Sequence, residues 1–472
     1  MNAKSSAAPN LGVRSLAGMS LVYALGGLAY KGVAVVTVPI LARLLTPAEL
    51  GLLDAAAIIA GLIGLVAGLG SEQAVAWLET RTPDKRSLWG SAMAIVGVMG
   101  VSLLLVTVVF AEPLAEFLTG DAQHAGVIVA SGLFGAVTGF TAAALNAVRL
   151  RGTPMGYAIG SFAVVLAETA VALSIALLIP QPVGPMVLGW AASAAVVTAV
   201  LLVMHLPRLG RPELGLVRRI LAFGLPLMPM VAAWLIGDIA IRSTLARETD
   251  LAVLGEYGIA SRIASVVALV VTGIGVAWQP HVFRTHSQGA RARTTRQAIY
   301  LFLALGGLGA VLIAMAPEVI VIAAGAEYAN AYRAVAPLIA GLVTLGGFVL
   351  IAAIVSASGS TRRIALASLV GAAAQAVLAL PLIDAFDLAG AGLASLSGYL
   401  AAVLVIVVAD RNIRGGTLGR WAAGGVAVAL AMTGAVLAST LPIWMRLVML
   451  AALLAVATLC TVLVRRGSRV VT

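Results

Sequence analysis

About fourteen apolar runs of roughly 20 residues divide this chain along almost its whole length. An α-helix needs a run of about that length to cross the hydrocarbon core of a bilayer at roughly 1.5 Å per residue. The predicted spans are residues 15–38, 49–70, 88–110, 125–147, 156–179, 184–205, 219–243, 252–276, 298–316, 334–356, 363–383, 389–409, 420–440 and 443–464. The chain is therefore predicted to be an all-α polytopic membrane protein.

The composition excludes several other classes. With 61% hydrophobic and 10% charged residues, the chain has too little polar surface for a water-soluble globule of its size. Its 51 glycines suit close packing between helices, and it lacks the short alternating segments of a membrane β-barrel. The single cysteine, Cys460, excludes an internal disulfide and a Cys-based metal site, and the four histidines lack metal-ligand spacing. We predict no metal and no cofactor, and the lack of a Walker-type loop argues against ATP hydrolysis.

Short motifs recur along the chain at a nearly constant offset. Leu41-Ala42-Arg43 with Leu50-Gly51 returns 204 positions later as Leu245-Ala246-Arg247 with Leu254-Gly255. Two further pairs follow at offsets of 207 and 206, namely Arg151-Gly152-Thr153 with Ser358-Gly359-Ser360, and Val183-Gly184 with Ala389-Gly390. Internal repeats of this kind are typical of secondary transporters. They predict an N-lobe of six helices (1–210), a C-lobe of six helices (211–415) and two further helices with a tail (416–472).

The distribution of basic residues predicts the orientation in the membrane. If the N-terminus is cytoplasmic, the cytoplasmic loops and tails hold 23 of the 30 lysines and arginines. The opposite loops hold most of the acids, so both termini are predicted to be cytoplasmic. The net charge of +11 then reflects this asymmetry and attraction to anionic lipid headgroups, and no nucleic-acid partner is predicted. No loop is long enough for an external catalytic domain, which argues against an enzyme.

Seven charged residues within or just beyond the predicted spans are candidates for a role, because a charge costs about 2.5–3.5 kcal/mol to insert near the membrane centre. Charges that persist there usually face a polar cavity or a partner, although Lys31 could extend to the interface, and Asp54 and Glu72 lie close enough to span ends for interfacial positions. The seven are Lys31, Asp54, Glu72, Glu168, Asp238, Arg242 and Arg262.

Four of these charges have the strongest claim to function. Asp238 and Arg242 lie four residues apart on one helical face, so they can form a local pair, either structural or functional. Arg262 has no partner in its own helix, and its forked donors suit a phosphate group. Glu168 lies mid-span, and an offset of 207 relates it to Gln375, so it either couples transport to protons or simply hydrogen-bonds a neighbouring helix.

The seventh predicted span contains two prolines, Pro226 and Pro229. Each removes a backbone donor, so together they should kink or break the helix. Broken helices in membranes are tolerated where protein or water satisfies the freed carbonyls, and they often mark moving parts of transporters. We predict a hinge there.

Several motifs resemble those of bacterial Wzx-type oligosaccharide flippases, the polysaccharide transport family. The segment from Pro39 to Gly51, which contains Leu41-Ala42-Arg43-Leu44-Leu45-Thr46-Pro47, is similar to the opening of that family. The stretches Leu254–Arg262, Trp278-Gln279-Pro280 and Leu388–Ala394 are similar to parts of its second half. This family belongs to the MOP exporter superfamily, together with MurJ-type lipid II flippases and MATE drug exporters. The resemblance implies two pseudo-symmetric six-helix lobes around a central cavity, with two C-terminal helices added.

The resemblance also implies a function. A protein of this kind moves an undecaprenyl-pyrophosphate-linked oligosaccharide across the bacterial cytoplasmic (inner) membrane for O-antigen, lipopolysaccharide or other surface polysaccharide. Lys31, Arg242 and Arg262 would bind the pyrophosphate in the cavity, and Glu168 or Asp238 would couple transport to H⁺ or Na⁺. A polysaccharide polymerase and a chain-length regulator are candidate partners. The alternatives are a lipid II flippase, a MATE-like cation-coupled exporter, and a non-transporting scaffold of the glycan assembly machinery.

Overall fold

The computed structural model describes residues 33, 37, 39–79, 81–150, 154–205, 209–287, 291–357 and 361–409. Within these ranges the chain is built from helices and contains no strand, which confirms the predicted all-α class. In chain order the α-helices are α1 (Pro47–Gly68), α2 (Ser71–Leu78), α3 (Lys85–Val109), α4 (Ala111–Thr119), α5 (Ala125–Leu150), α6 (Pro154–Leu178), α7 (Val183–His205), α8 (Leu214–Gly224), α9 (Met228–Glu248), α10 (Leu251–Ser287), α11 (Arg291–Ala323), α12 (Tyr332–Ala357), α13 (Thr361–Phe386) and α14 (Leu388–Ala409). Short 3₁₀ helices occupy Ala122–His124, Leu225–Leu227 and Ala326–Ala331.

Ten helical stretches in the described ranges are long and apolar enough to cross a membrane. They correspond to the second to sixth and the eighth to twelfth predicted spans. The first, thirteenth and fourteenth predicted spans lie mostly or wholly outside the described residues. The seventh predicted span is divided into α8, the turn Leu225–Leu227 and α9. This makes the chain a multi-pass membrane protein.

Local sequence fixes the start of α1. Thr46 and Glu49 form a capping box, in which the Thr46 Oγ1 accepts from the Glu49 N–H at 3.3 Å and the Glu49 Oε2 accepts from the Thr46 N–H at 2.9 Å. Pro47 occupies the first helical position, where its missing N–H costs nothing. The segment Thr46–Gly51, which carries the Leu-Gly part of the repeated motif, therefore has a defined turn-to-helix geometry.

The two copies of the repeat meet where α1 packs against α10. A Cβ added to Gly51 would overlap the carbonyl oxygen of Leu251, and one added to Gly255 would overlap the carbonyl oxygen of Pro47. Only glycine allows the two backbones to approach so closely. The leucines before these glycines, at equivalent positions of the two copies, are both fully buried in the same apolar core.

We call the end of the helix bundle at which α1 and α10 begin and α9 ends the acidic end, because its connections carry Glu112, Glu116, Asp121, Glu327 and Asp387. Several contacts join the two copies there. Arg43 donates to the carbonyl of Ile322 at 2.6 Å, and the Tyr328 hydroxyl donates to the carbonyl of Leu45 at 3.1 Å. The Arg247 guanidinium lies 4.8 Å from the centre of the Phe117 ring.

We call the opposite end of the helix bundle the basic end, because Lys85, Arg86, Arg149 and Arg211 lie there. At this end the connection between the copies is attached to the first copy. The Gly210 N–H donates to the Arg86 carbonyl at 3.0 Å, and the Glu213 N–H donates to the Ser91 hydroxyl at 3.0 Å. Gly224, the last residue of α8, touches Gly70 so closely that a Cβ on either would overlap backbone. The helix α8 therefore packs on α2 and α3, and the chain leaves the first copy at the turn Leu225–Leu227.

The start of α3, which anchors this connection, is capped by Asp84. Its carboxylate accepts from the backbone N–H groups of Ser87 at 3.2 Å and Arg86 at 3.0 Å. Hydrogen bonds from Ser87, with a smaller effect of Arg86, lower the pKa of Asp84 below its usual value. The capping carboxylate is thus held in its charged, accepting form.

Candidate functional site

Four charged side chains form one cluster where the two copies meet near the acidic end. We call Asp54, Asp238, Arg242 and Arg262 the ion-pair cluster. Asp54 lies in the second turn of α1, Arg242 lies near the end of α9, and Arg262 lies in the third turn of α10. Asp54 forms ion pairs with both arginines, so a single carboxylate of the first copy holds two guanidinium groups of the second.

Arg242 contacts both carboxylates of the ion-pair cluster. Its Nε donates to the Asp238 Oδ2 at 3.1 Å, one turn back on the same helix, and its Nη1 pairs with the Asp54 Oδ2. Its guanidinium carbon also lies 5.1 Å from the centre of the Tyr257 ring, a cation–π arrangement. The side chain is only 11% exposed. The local Asp238–Arg242 pair predicted from the four-residue spacing is present, and Asp54 adds a second carboxylate to it.

Arg262 is held more loosely. Its Nη2 lies 3.6 Å from the Asp54 Oδ1, beyond ordinary hydrogen-bond length, and its Nη1 is buried without a hydrogen-bond partner in the described structure. Its side chain is 31% exposed. Gly258 leaves room here, since a Cβ at that position would lie 3.1 Å from the Arg262 Nη1 and 3.2 Å from the Asp54 Cγ. Arg262 therefore retains donor capacity for a further anion.

The charges of the ion-pair cluster balance, with two carboxylates and two guanidinium groups. Buried charges are tolerated when they are paired and hydrogen-bonded, and removal of one partner from such a group is costly. An added anion would make the cluster net negative unless a carboxylate left it. An anion bound at Arg262 would therefore compete with Asp54 for that guanidinium.

Asp54 is the residue of this site that the sequence analysis missed, because its place near a predicted span end made an interfacial position as good an explanation as a cavity. In the structure it is 8% exposed. The repeat offset of 204 could have identified it, since this offset relates Asp54 to Gly258. Both positions lie one turn beyond the repeated Leu-Gly pair. An acid in one copy and a glycine at the equivalent position of the other indicate that the glycine leaves space for the carboxylate where the copies meet.

The other predicted site residues that the structure describes lie apart from the ion-pair cluster. Lys31 lies outside the described residues. Glu168 is half-buried in α6 and forms no ion pair within the described ranges. Pro226 lies in the 3₁₀ turn between α8 and α9, and Pro229 is the second residue of α9. Gln375, the repeat equivalent of Glu168, is buried in α13. Its Oε1 has no hydrogen-bond partner in the described structure and lies beside Gly237.

A separate cavity of about 250 Å³ lies in the first copy toward the basic end. Glycines line much of it, together with polar groups of Ser71, Glu72, Gln73 and Thr138. Cβ atoms at Gly61 or Gly68 would meet nothing within 4 Å, so this space is open. The described part of the chain contains no group of three or more His, Cys, Asp or Glu residues arranged to hold a metal ion.

Residues 16–286 match the model of a family described as "Polysaccharide biosynthesis protein", which is more than half of the chain. A comparison with curated proteins found no match. The matching segment includes nearly all of the first copy of the repeat and of α10, so it contains all four residues of the ion-pair cluster.

Solved structures show the same fold. The "Lipid II flippase MurJ, inward closed conformation" is 10% identical, with a TM-score of 0.73, over 93% of this chain and 98% of that one. The MATE multidrug transporter DinF-BH is 18% identical, with a TM-score of 0.62, over 88% and 99%. The Vibrio cholerae MATE transporter VcmN is 14% identical, with a TM-score of 0.56, over 86% and 98%. The predicted fold of MurJ and MATE type is confirmed.

Proposed function

This chain belongs to the polysaccharide biosynthesis protein family, and we propose that it is a flippase for an undecaprenyl-pyrophosphate-linked oligosaccharide. It would act by alternating access in the bacterial cytoplasmic membrane, with both termini cytoplasmic, and supply O-antigen or another surface polysaccharide. The sugars would occupy the interior between the lobes while the polyprenyl tail stayed in lipid. No covalent chemistry is required, so the proposal is a transporter and not an enzyme.

The observation that carries this proposal is the incompletely satisfied guanidinium of Arg262 beside Arg242. The Arg262 guanidinium has one buried nitrogen without a hydrogen-bond partner, and its one described carboxylate contact, to Asp54, is 3.6 Å long. It can therefore bind an anion that makes shorter hydrogen bonds. Phosphate binds such a fork through two oxygens, and a low-dielectric site strengthens the attraction. Lys31 would add a third positive charge from the first span. These are the groups that a pyrophosphate linkage requires.

Glu168 and Asp238 are the proposed coupling residues. Asp238 is already neutralised by Arg242, so a cation would compete with a guanidinium for it. Glu168 forms no such pair within the described ranges, which makes it the better candidate for proton exchange. The proposed hinge is at Pro226 and Pro229, where the chain passes from α8 to α9. A polysaccharide polymerase and a chain-length regulator are the proposed protein partners.

A lipid II flippase is the second candidate, favoured by the similarity in fold to a protein named as one. Lipid II carries the same pyrophosphate linkage, so the ion-pair cluster suits both substrates and the sugars would distinguish them. A MATE-like cation exporter would favour a net acidic cavity, whereas the described cluster is balanced. A scaffold that does not transport would tolerate loss of Arg262.

Complementation of a cell that lacks its own flippase tests the proposal. Wild type, Arg262→Ala and Glu168→Gln are compared at matched membrane abundance. We expect surface glycan with wild type, and loss of surface glycan with accumulation of lipid-linked precursor inside for Arg262→Ala. A parallel strain depleted of its lipid II flippase tests the second candidate. Normal surface glycan with Arg262→Ala would disprove the anion-binding mechanism and favour the scaffold.

A further inference from the structure

Asp54 has a position that none of the other described acids shares. It is the carboxylate of the first copy that pairs with guanidinium groups of the second copy, and it contacts two of them. Asp238, by contrast, lies on the same helix as Arg242 and moves with it. Removal of Asp54 from the cluster would therefore break every described ion pair between the two copies in this cluster, and leave the Asp238–Arg242 pair intact.

Asp54 lies beside the closest contact between α1 and α10, so loss of its ion pairs would affect how these helices pack. One turn before it on α1, Gly51 touches α10 at Leu251 and Gly255 in a contact that no larger residue would permit. Asp54 itself faces Gly258 on the next turn of α10. The close approach of α1 to α10 is thus followed immediately by ion pairs that hold the two helices and α9 together at the acidic end.

We propose that Asp54 is an internal anion, which occupies Arg262 and Arg242 in the absence of substrate and is replaced there by a phosphate of the lipid carrier. The exchange separates α1 from α9 and α10 and opens the acidic end. This inference rests on the proposed function. It assigns Asp54 a positioning role: it contacts the arginines and not the substrate, and it links occupancy of the site to the separation of the lobes.

Charge and geometry favour exchange at Asp54. Without Asp54 the remaining three charges sum to +1, which suits an incoming phosphate. The 3.6 Å contact to Arg262 is the weakest in the cluster, so substitution can begin there and proceed to Arg242. A bound phosphate satisfies the two guanidinium groups that Asp54 gives up, so neither arginine is left unpaired in the membrane.

The test uses the full-length protein in lipid nanodiscs and farnesyl pyrophosphate as the probe, with farnesol as the probe that lacks phosphate. Asp54→Asn keeps the size of the side chain and removes its charge. Glu256→Gln is the matched control, because it removes one acid from the same end of α10, where Glu256 contacts Asn330 and neither arginine of the cluster. Binding is measured by calorimetry, and opening by hydrogen–deuterium exchange of residues 47–58 and 251–262.

We expect Asp54→Asn to bind farnesyl pyrophosphate about fivefold more tightly than wild type, which is the upper range for release of a partly exposed ion pair. Farnesol binding should not change, and Glu256→Gln should resemble wild type. In wild type the pyrophosphate should raise exchange in both segments. In Asp54→Asn exchange should be high before ligand is added and change little afterwards.

Unchanged or weaker binding of the pyrophosphate by Asp54→Asn, or exchange equal to wild type without ligand, would overturn the inference. If Asp54→Asn does not fold, the wild-type experiment decides alone, because a ligand that fails to raise exchange in both segments contradicts the opening step. The failure of the proposed function looks different. In that case wild type binds farnesyl pyrophosphate no better than farnesol, and Arg262→Ala supports normal surface glycan.

Discussion

Gly51 and Gly255, which occupy equivalent positions in the two copies of the repeat, contact each other's helices at the acidic end. A Cβ at Gly51 would overlap the Leu251 carbonyl oxygen, and one at Gly255 would overlap the Pro47 carbonyl oxygen. In membranes, where helices gain no hydrophobic energy from associating, such close backbone contacts are a main source of packing energy. The repeated Leu-Gly pair is therefore one of the contacts that hold the two copies together.

We expect Gly51→Ala and Gly255→Ala each to lower stability by about 1–3 kcal/mol, because overlap with backbone cannot be relieved by a side-chain rotation. Gly61→Ala is the control on α1. Its Cβ would meet nothing within 4 Å, and alanine is the better helix former, so its stability should equal or exceed that of wild type. Thermal unfolding in detergent measures both. Equal melting temperatures for Gly51→Ala and Gly61→Ala would contradict the close contact.

Much of the fold could be predicted from the sequence because spans in a bilayer follow from hydropathy alone. Ten of the predicted spans are present as helices in the described ranges. The seventh could not be placed as one helix by this reasoning. Pro226 in this run predicts an interruption, but it does not predict how the helices on either side of it are oriented. In the structure α8 packs on the first copy through Gly224 and Gly70. That contact is tertiary, and hydropathy does not report it.

The site was predicted in part. Asp238 and Arg242 share one helix, so their spacing was sufficient to predict the pair. The link from Asp54 to Arg262 joins residues more than 200 positions apart, and no local pattern reports such a contact. Whether an acid near a span end faces lipid headgroups or another helix depends on the helix packed against it, and that helix is known only from the fold.

The two arginines of the ion-pair cluster should differ in their structural importance. Arg242→Ala leaves Asp54 and Asp238 without their shared partner, and breaking a buried pair costs about 3–5 kcal/mol. Arg262→Ala removes one long contact from a partly exposed side chain and should cost about 1 kcal/mol or less. Thermal unfolding of the purified variants compares them. Adding Asp54→Asn and Asp238→Asn to Arg242→Ala should restore much of the loss, and a failure to restore it would show that packing, and not charge, is responsible.

The interruption between α8 and α9 should matter for transport more than for folding. Pro226→Ala together with Pro229→Ala restores two backbone donors, so α8 and α9 could join into one continuous helix. We expect membrane abundance and melting temperature to be unchanged or higher, and the export of glycan to fall severalfold. Pro317→Ala, which removes a proline inside α11, is the control and should affect transport less. Wild-type export by the double variant would show that no hinge operates there.

Glu168 is predicted to couple transport to protons, since within the described ranges it is a half-buried membrane acid without an ion pair. Glu168→Gln preserves the shape and hydrogen-bonding capacity of the protonated acid and removes its ability to release a proton. We expect stability near that of wild type, because the amide matches the carboxyl group in size and can donate and accept hydrogen bonds. Export should no longer respond to an imposed pH gradient across vesicles. Glu72→Gln, which neutralises the acid at the cavity near the basic end, should leave that response in place. If both variants keep the response, Glu168 only hydrogen-bonds a neighbouring helix; if both lose it, the two acids act together.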